Sequence, residues 1–188
     1  LERVNWEVLW GNKIDYFELQ IGENKKKYPL IRESFDYFIG LGENAISYLV
    51  NTKRAVDSSI YDNKVISHNN LREGFYDPTN IIIDHASRDI SEYIKSSFVN
   101  KVWDIDMLRD YLALHSFSKY GLRMILARIL YPSFFFDYVE EMIMSNKEIN
   151  LLYLENRLIE FESFIKQVCL FLADEYNIPV IPWIVKKT

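Results

Sequence analysis

The chain has 188 residues, enough for one domain with a real core, and 49% of them are hydrophobic, including 12 Phe, 13 Tyr and four Trp. That content excludes a disordered chain, and six Gly with five Pro leave little turn material for a many-stranded β fold. With 22 basic against 27 acidic residues, a net charge of −5 gives no field that would draw in a polyanion, so nucleic acid is not an expected partner. The single cysteine, Cys169, excludes a disulfide framework and a cysteine-based metal site. No run of about 18 apolar residues exists, so no membrane span is expected.

In chain order, Val4, Val8, Leu9, Ile14, Phe17 and Leu19 recur near helical spacing and predict a helix over 2–20. Gly22 and the run Lys25-Lys26-Lys27, read as a solvated loop, end it. Pro29 then suits the first turn of a second helix reaching about Thr52. Gly40 and Gly42 interrupt that helix, which predicts a close helix contact there. Residues 53–63 read as loop. Val65-Ile66 and Ile81-Ile82-Ile83 are the two convincing short strands, β-branched and bounded by turn residues.

Helical spacing resumes at Ser87, a plausible N-cap, with Ile90, Tyr93, Ile94 and Phe98 on one face. Asp104 or Asp106 is suited to cap a helix through Leu108, Leu112 and His115. Another helix runs from Ser118 to Ile129 and is stopped by Pro132; a third covers Phe135 to Met144. The last and longest carries Leu151, Leu154, Leu158, Phe161, Ile165, Val168 and Leu172, a seam read as core packing rather than a dimer coiled coil. Pro179 and Pro182 break the apolar tail IPVIPWIV, which should lie extended against the core. Cys169 reads as a buried thiol. The whole is one mainly α domain, 1–188, of α+β type, with a small β insert near 64–84.

That insert, within ISHNNLREGFYDPTNIIIDHASRDISEYIK (residues 66–95), is where chemistry would sit. Its order of strand, loop, strand and helix suits phosphoryl transfer, which needs a carboxylate to orient a hydroxyl and acceptors to hold Mg²⁺. His68 ends the first strand, Asp84 ends the second, and Asp89 opens the helix. The same residues also have plainer readings. His68 and His85 serve as ordinary hydrogen-bonded histidines, His115 as a packed one, and Asp84 and Asp89 as caps and turn acceptors. No Cys/His spacing suggests zinc, and no G-x-S-x-G elbow accompanies Ser67-His68.

The segment resembles the catalytic region of the aminoglycoside-phosphotransferase and choline-kinase superfamily, and within it the spore-coat kinase-like group of CotS and YutH. DHASRDISEYIK resembles that group's D-x-P-x-R-D-L-A motif; ENAISYLVNT and YNIPVIPWI resemble YutH-type segments; WGNKIDYFE resembles the tryptophan-containing helix that begins the C-terminal lobe. The resemblance implies a kinase-like C-terminal lobe and gives roles to residues. His68 matches the histidine of the H-x-D motif, which buttresses the catalytic loop. The motif's Asp falls on Asn70, which cannot accept a proton as a carboxylate can. The family's Asn falls on Phe75, which cannot hold a metal. Asp84 or Asp77 would be the metal-holding Asp, or neither. Asp89 matches the helix Asp that holds the catalytic-loop backbone, and Arg88 is suited to pair with a nearby acid.

The nucleotide-holding small lobe has no counterpart in these 188 residues, so the chain is expected to be a piece of a longer protein. ATP and Mg²⁺ are expected only if that lobe is present and the site active. The resemblance implies a catalytically degenerate, pseudokinase-like protein of the spore coat, made in the mother-cell cytoplasm, with other coat proteins as partners. The alternatives are an active small-molecule phosphotransferase whose small lobe lies outside this sequence, and an unrelated all-helical interaction domain. A β insert bringing His68 and Asp84 together argues against the last. Exposed Tyr and Phe patches are expected where a small lobe would dock.

Overall fold

Periodicity of 3.6 along most of the sequence, and alternation along two short β-branched runs, dictate the architecture: helices packed on one another with a single hairpin at the edge. The computed structural model describes residue 2 and residues 5–23, 32–60, 62–70, 77–145, 147 and 150–185. Among these the elements are α1 (Trp6–Glu23), α2 (Arg32–Ala55), β1 (Lys64–His68), a 3-10 turn (Pro78–Asn80), β2 (Ile81–His85), α3 (Ser87–Val99), α4 (Ile105–Leu114), α5 (Lys119–Leu130), α6 (Ser133–Met144), α7 (Leu151–Tyr176) and α8 (Pro182–Val185). The fold is mainly α, as its sequence indicates. The hairpin at the expected insert removes the all-helical reading.

The centre is α5. Every residue from Gly121 to Leu130 except Arg123 is buried, the pattern of a helix apolar all round. It packs against α2, α3 and α7. Ser118 caps it, its Oγ accepting from Gly121 N at 3.0 Å, and Asp104 caps α4 by accepting from Asp106 N at 2.9 Å. The α7 seam faces inward: Leu154, Phe161, Ile165, Val168 and Leu172 are each buried, so it packs the core of this chain. Aromatic side chains fill the space between helices. Phe38 stacks on Phe135 at 3.9 Å and Phe17 on Phe136 at 5.4 Å. Gly42 lets α2 approach α1, since a Cβ there would lie 2.9 Å from Ile14 Cδ1; at Gly40 nothing lies within 4 Å, so the expected close contact belongs to Gly42 alone.

Other expectations are corrected. The first helix begins at Trp6 rather than residue 2, because Glu2 makes a parallel bridge to Ile83 on β2. Pro29 and the lysine run lie outside the described residues. The second helix continues to Ala55, into the expected loop. Ser87 is not the cap of α3: Ala86 holds that position without a side-chain bond, and Ser87 Oγ instead meets His85 Nδ1 at 2.7 Å. The tail is not wholly extended, since 182–185 form α8, with Ile178, Ile181 and Ile184 buried. Cys169 is buried there, and its Sγ accepts from Ile181 N at 3.4 Å. His115 is exposed, stacked on Tyr111 at 4.4 Å.

β1 and β2 pair antiparallel, Lys64 with His85 through His68 with Ile81. The outer face of this hairpin exposes Ile66, Ile81 and Ile83. Among the described residues the large exposed apolar side chains are mostly aliphatic; of the expected Tyr and Phe, Tyr16, Tyr93 and Tyr153 are exposed and no Phe is in that set.

Candidate functional site

Antiparallel pairing brings the end of β1 beside the start of β2, and the tight entry into α3 folds Arg88 and Asp89 back over both. Asp89 accepts from His68 N at 3.0 Å with one carboxylate oxygen and meets His68 Nδ1 at 2.8 Å with the other. The carboxylate therefore fixes both the backbone and the ring of His68, which is the position the resemblance gives to the helix Asp. The next residues are held by Arg88. Its Nε donates to His68 O and its Nη2 to Asn69 O, both at 2.8 Å. Asn80 completes the loop by donating Nδ2–H to Asn70 O at 2.6 Å and accepting Asn70 N–H at 2.7 Å on Oδ1.

Asp84 is the hub beneath. Its side chain is only 2% exposed. Oδ2 accepts from Arg88 Nη1 at 2.8 Å, Oδ1 accepts from His85 N at 2.7 Å, and Trp6 Nε1 lies 3.0 Å from each oxygen. A carboxylate has about four lone-pair directions, so an indole, a guanidinium and its own turn take most of this one's capacity. Asp77 does different work. It is exposed and caps the 3-10 turn, accepting from Thr79 N at 2.8 Å and Thr79 Oγ1 at 2.7 Å; these bonds lower its carboxyl below the ordinary range. Among the described residues no three His, Cys, Asp or Glu gather as a ligand set. Phe75 lies outside the described residues.

His85 faces the other way. Its Nδ1 accepts from Ser87 N at 3.1 Å, which puts the ring proton on Nε2, 3.9 Å from Asp62 Oδ1. Burial pushes its imidazole below the usual range despite the nearby Asp62 and Asp84. Asp62 is itself held by Ser118 Oγ, 2.6 Å away.

Sequence reasoning brought His68, Asn70, Asp84 and Asp89 to one place; in the structure Arg88 bonds His68 and Asp84, Asp89 bonds His68, and Asn70 is held by Asn80. Sequence reasoning missed Trp6, Asn80, Glu92, Lys95 and Arg128. Arg88, Glu92 and Lys95 stand four and three residues apart on α3, a spacing that puts them on one helix face. Arg128 reaches that face from α5, bonding Glu92 Oε1 through Nε at 2.7 Å, and its Cζ lies 4.5 Å above the Trp6 ring. Burial alone would raise the Glu92 carboxyl, but Lys95, Arg128 and Arg88 outweigh it and hold it at about 2.

Compared with known proteins, residues 2–174 match the family described as "Spore coat putative kinase YutH". The chain is similar to the endospore coat-associated protein YutH of Bacillus subtilis (strain 168), 28% identical over 208 residues. That alignment covers 96% of this chain and 61% of the relative, so the chain spans about three fifths of the length of the protein it matches. No solved structure matches it. A match across residues 2–174 carries the hairpin, the Asp84–Arg88–Asp89 cluster and most of the helical core together, and the chain belongs to the YutH family of spore coat proteins.

Proposed function

We propose that this chain is the helical lobe of a kinase-like spore coat protein whose phosphotransfer centre has become a structural joint. The protein resides in the spore coat, where its surfaces, in contact with other coat proteins, carry the function. The observation that supports this reading is the state of Asp84: buried, ion-paired to Arg88 and bonded by the Trp6 indole. A carboxylate committed to protein donors is a poor metal ligand, since a cation would have to displace Arg88 first. Asn70 supports it too, because an amide in the position that the family gives to the proton-accepting carboxylate cannot do that work.

The test is titration of ATP into the full-length natural protein, with and without Mg²⁺, by calorimetry. The expected result is no magnesium-dependent binding at millimolar ATP. A saturable magnesium-dependent isotherm, with phosphate released or transferred, would overturn the degenerate reading in favour of an active small-molecule phosphotransferase.

A further inference from the structure

The helices α1, α3, α5 and α6 enclose a cavity of about 460 Å³ beside the Asn69–Asn70 loop. Three cations line it, and each is more than nine-tenths buried: Arg88 at 4% exposure, Lys95 at 8% and Arg128 at 6%. Two carboxylates serve them, Asp84 on Arg88 and Glu92 on both Arg128 and Lys95. Glu92 is thus shared between two cations, and Lys95 holds the longer of its two contacts, with Asp137 also drawing on its charge. Lys95 Nζ stands 3.7 Å from Glu92 Oε1, outside hydrogen-bonding reach. Arg128 Nη1 is also buried without a partner. Lys13 lies at the same cavity but is matched by Asp137 at 2.9 Å and Glu140 at 3.5 Å, all three exposed enough for solvent to screen them.

A buried cationic N–H without an acceptor is costly, and folded proteins meet that cost with a counter-charge. Here the fold provides the space for one beside Arg128 Nη1, which no protein acceptor meets. Aromatic side chains, Trp6, Trp10, Tyr131 and Phe134, form part of the remaining wall, beside the polar Asn69, Asn70, Ser96 and Ser133. Trp10 and Tyr131 are stacked at 4.6 Å, which fixes a flat apolar surface. A concave site in which polar groups converge beside an aromatic surface is a form that small-molecule sites take.

We propose that this cavity binds a small organic anion, its phosphate or carboxylate against Lys95 and Arg128 and its apolar body against the aromatic wall. The assignment does not rest on the loss of phosphotransfer and stands or falls separately from it.

The probes are phenyl phosphate and benzylammonium, similar in size and opposite in charge, titrated into the full-length natural protein by calorimetry, with tryptophan emission reporting on Trp6 and Trp10. Phenyl phosphate is expected to bind saturably and to raise the unfolding temperature; benzylammonium is expected to bind at least tenfold more weakly. Lys95→Met keeps the aliphatic stem and removes the charge. It should weaken phenyl phosphate at least tenfold while leaving the unfolding temperature unchanged or higher, which loss of a structural ion pair would not do. No saturable binding of phenyl phosphate, equal binding of the two probes, or undiminished binding by a folded Lys95→Met protein would each overturn the assignment. The two-probe comparison on the unmodified protein decides the matter even if the variant does not fold.

Discussion

The indole Nε1 of Trp6 lies 3.0 Å from both carboxylate oxygens of Asp84, a residue 78 positions away in the chain. This contact ties the first helix to the end of the hairpin. Trp6→Phe keeps a ring over Trp10 and beneath Arg128 but removes the donor, and should cost about 2 kcal/mol, the loss of a hydrogen bond to a charged group. Asp84→Asn strips Arg88 of its buried counter-charge and should cost about 3–5 kcal/mol. Denaturant unfolding measures both. Losses under 0.5 kcal/mol in both would show that the hub does not hold the lobe together.

Asp89 is the clamp on His68, accepting from its backbone N–H and its ring. Asp89→Ala should free the 68–70 loop while sparing the helical core, at about 1–3 kcal/mol for a charge-assisted pair of bonds. Hydrogen exchange should accelerate at His68 and Asn70 and remain slow in α5. Acceleration spread evenly over the core would contradict this.

The two glycines of α2 make a paired experiment. At Gly40 an added methyl meets nothing within 4 Å, and Ala there should stabilise by about 0.5–1 kcal/mol through helix propensity. At Gly42 the methyl meets buried Ile14 at 2.9 Å, so crowding consumes that gain and Gly42→Ala should be the less stable of the two. Thermal unfolding ranks them directly.

Acidity should weaken the fold through His85. Burial holds its folded pKa below the ordinary 6.5, so the unfolded chain binds the proton more readily. The stability this provides is present above pH 6.5 and is lost as pH falls through the depressed value. Unfolding free energy measured from pH 7.5 to 5 should decline, and His85→Gln should flatten part of the slope. An unchanged slope would assign the decline to other groups.

Much of the fold is legible in the sequence because it rests on local rules. The α7 seam, the start of α5 near Ser118, Asp104 as one of two candidate caps, and the β-branched runs of the hairpin all follow from spacing and composition within a few residues. What escapes is set by contacts from far away. Ser87 has the composition of an N-cap, yet the buried His85 ring claims its hydroxyl. The tail prolines suggest extension, yet Pro182 sits at the first position of a helix, where its missing N–H costs nothing. At the site, the motif brings His68, Asp84 and Asp89 together, but nothing local reveals that Trp6 and Arg128 arrive from two other helices. The cationic cavity therefore depends on helix packing, and only half of it, the Arg88–Glu92–Lys95 spacing, lies in one stretch of sequence.

The hairpin's five-residue strands have a consequence for local opening. A two-stranded ribbon of this length with an exposed aliphatic face is marginal by itself in water. It persists because its two ends are riveted to separate helices, Asp84 to α1 through Trp6 and His68 to α3 through Asp89 and Arg88. Fraying of the ribbon must therefore break its attachments to both helices, so the hairpin is held shut from two sides rather than flapping as a free loop.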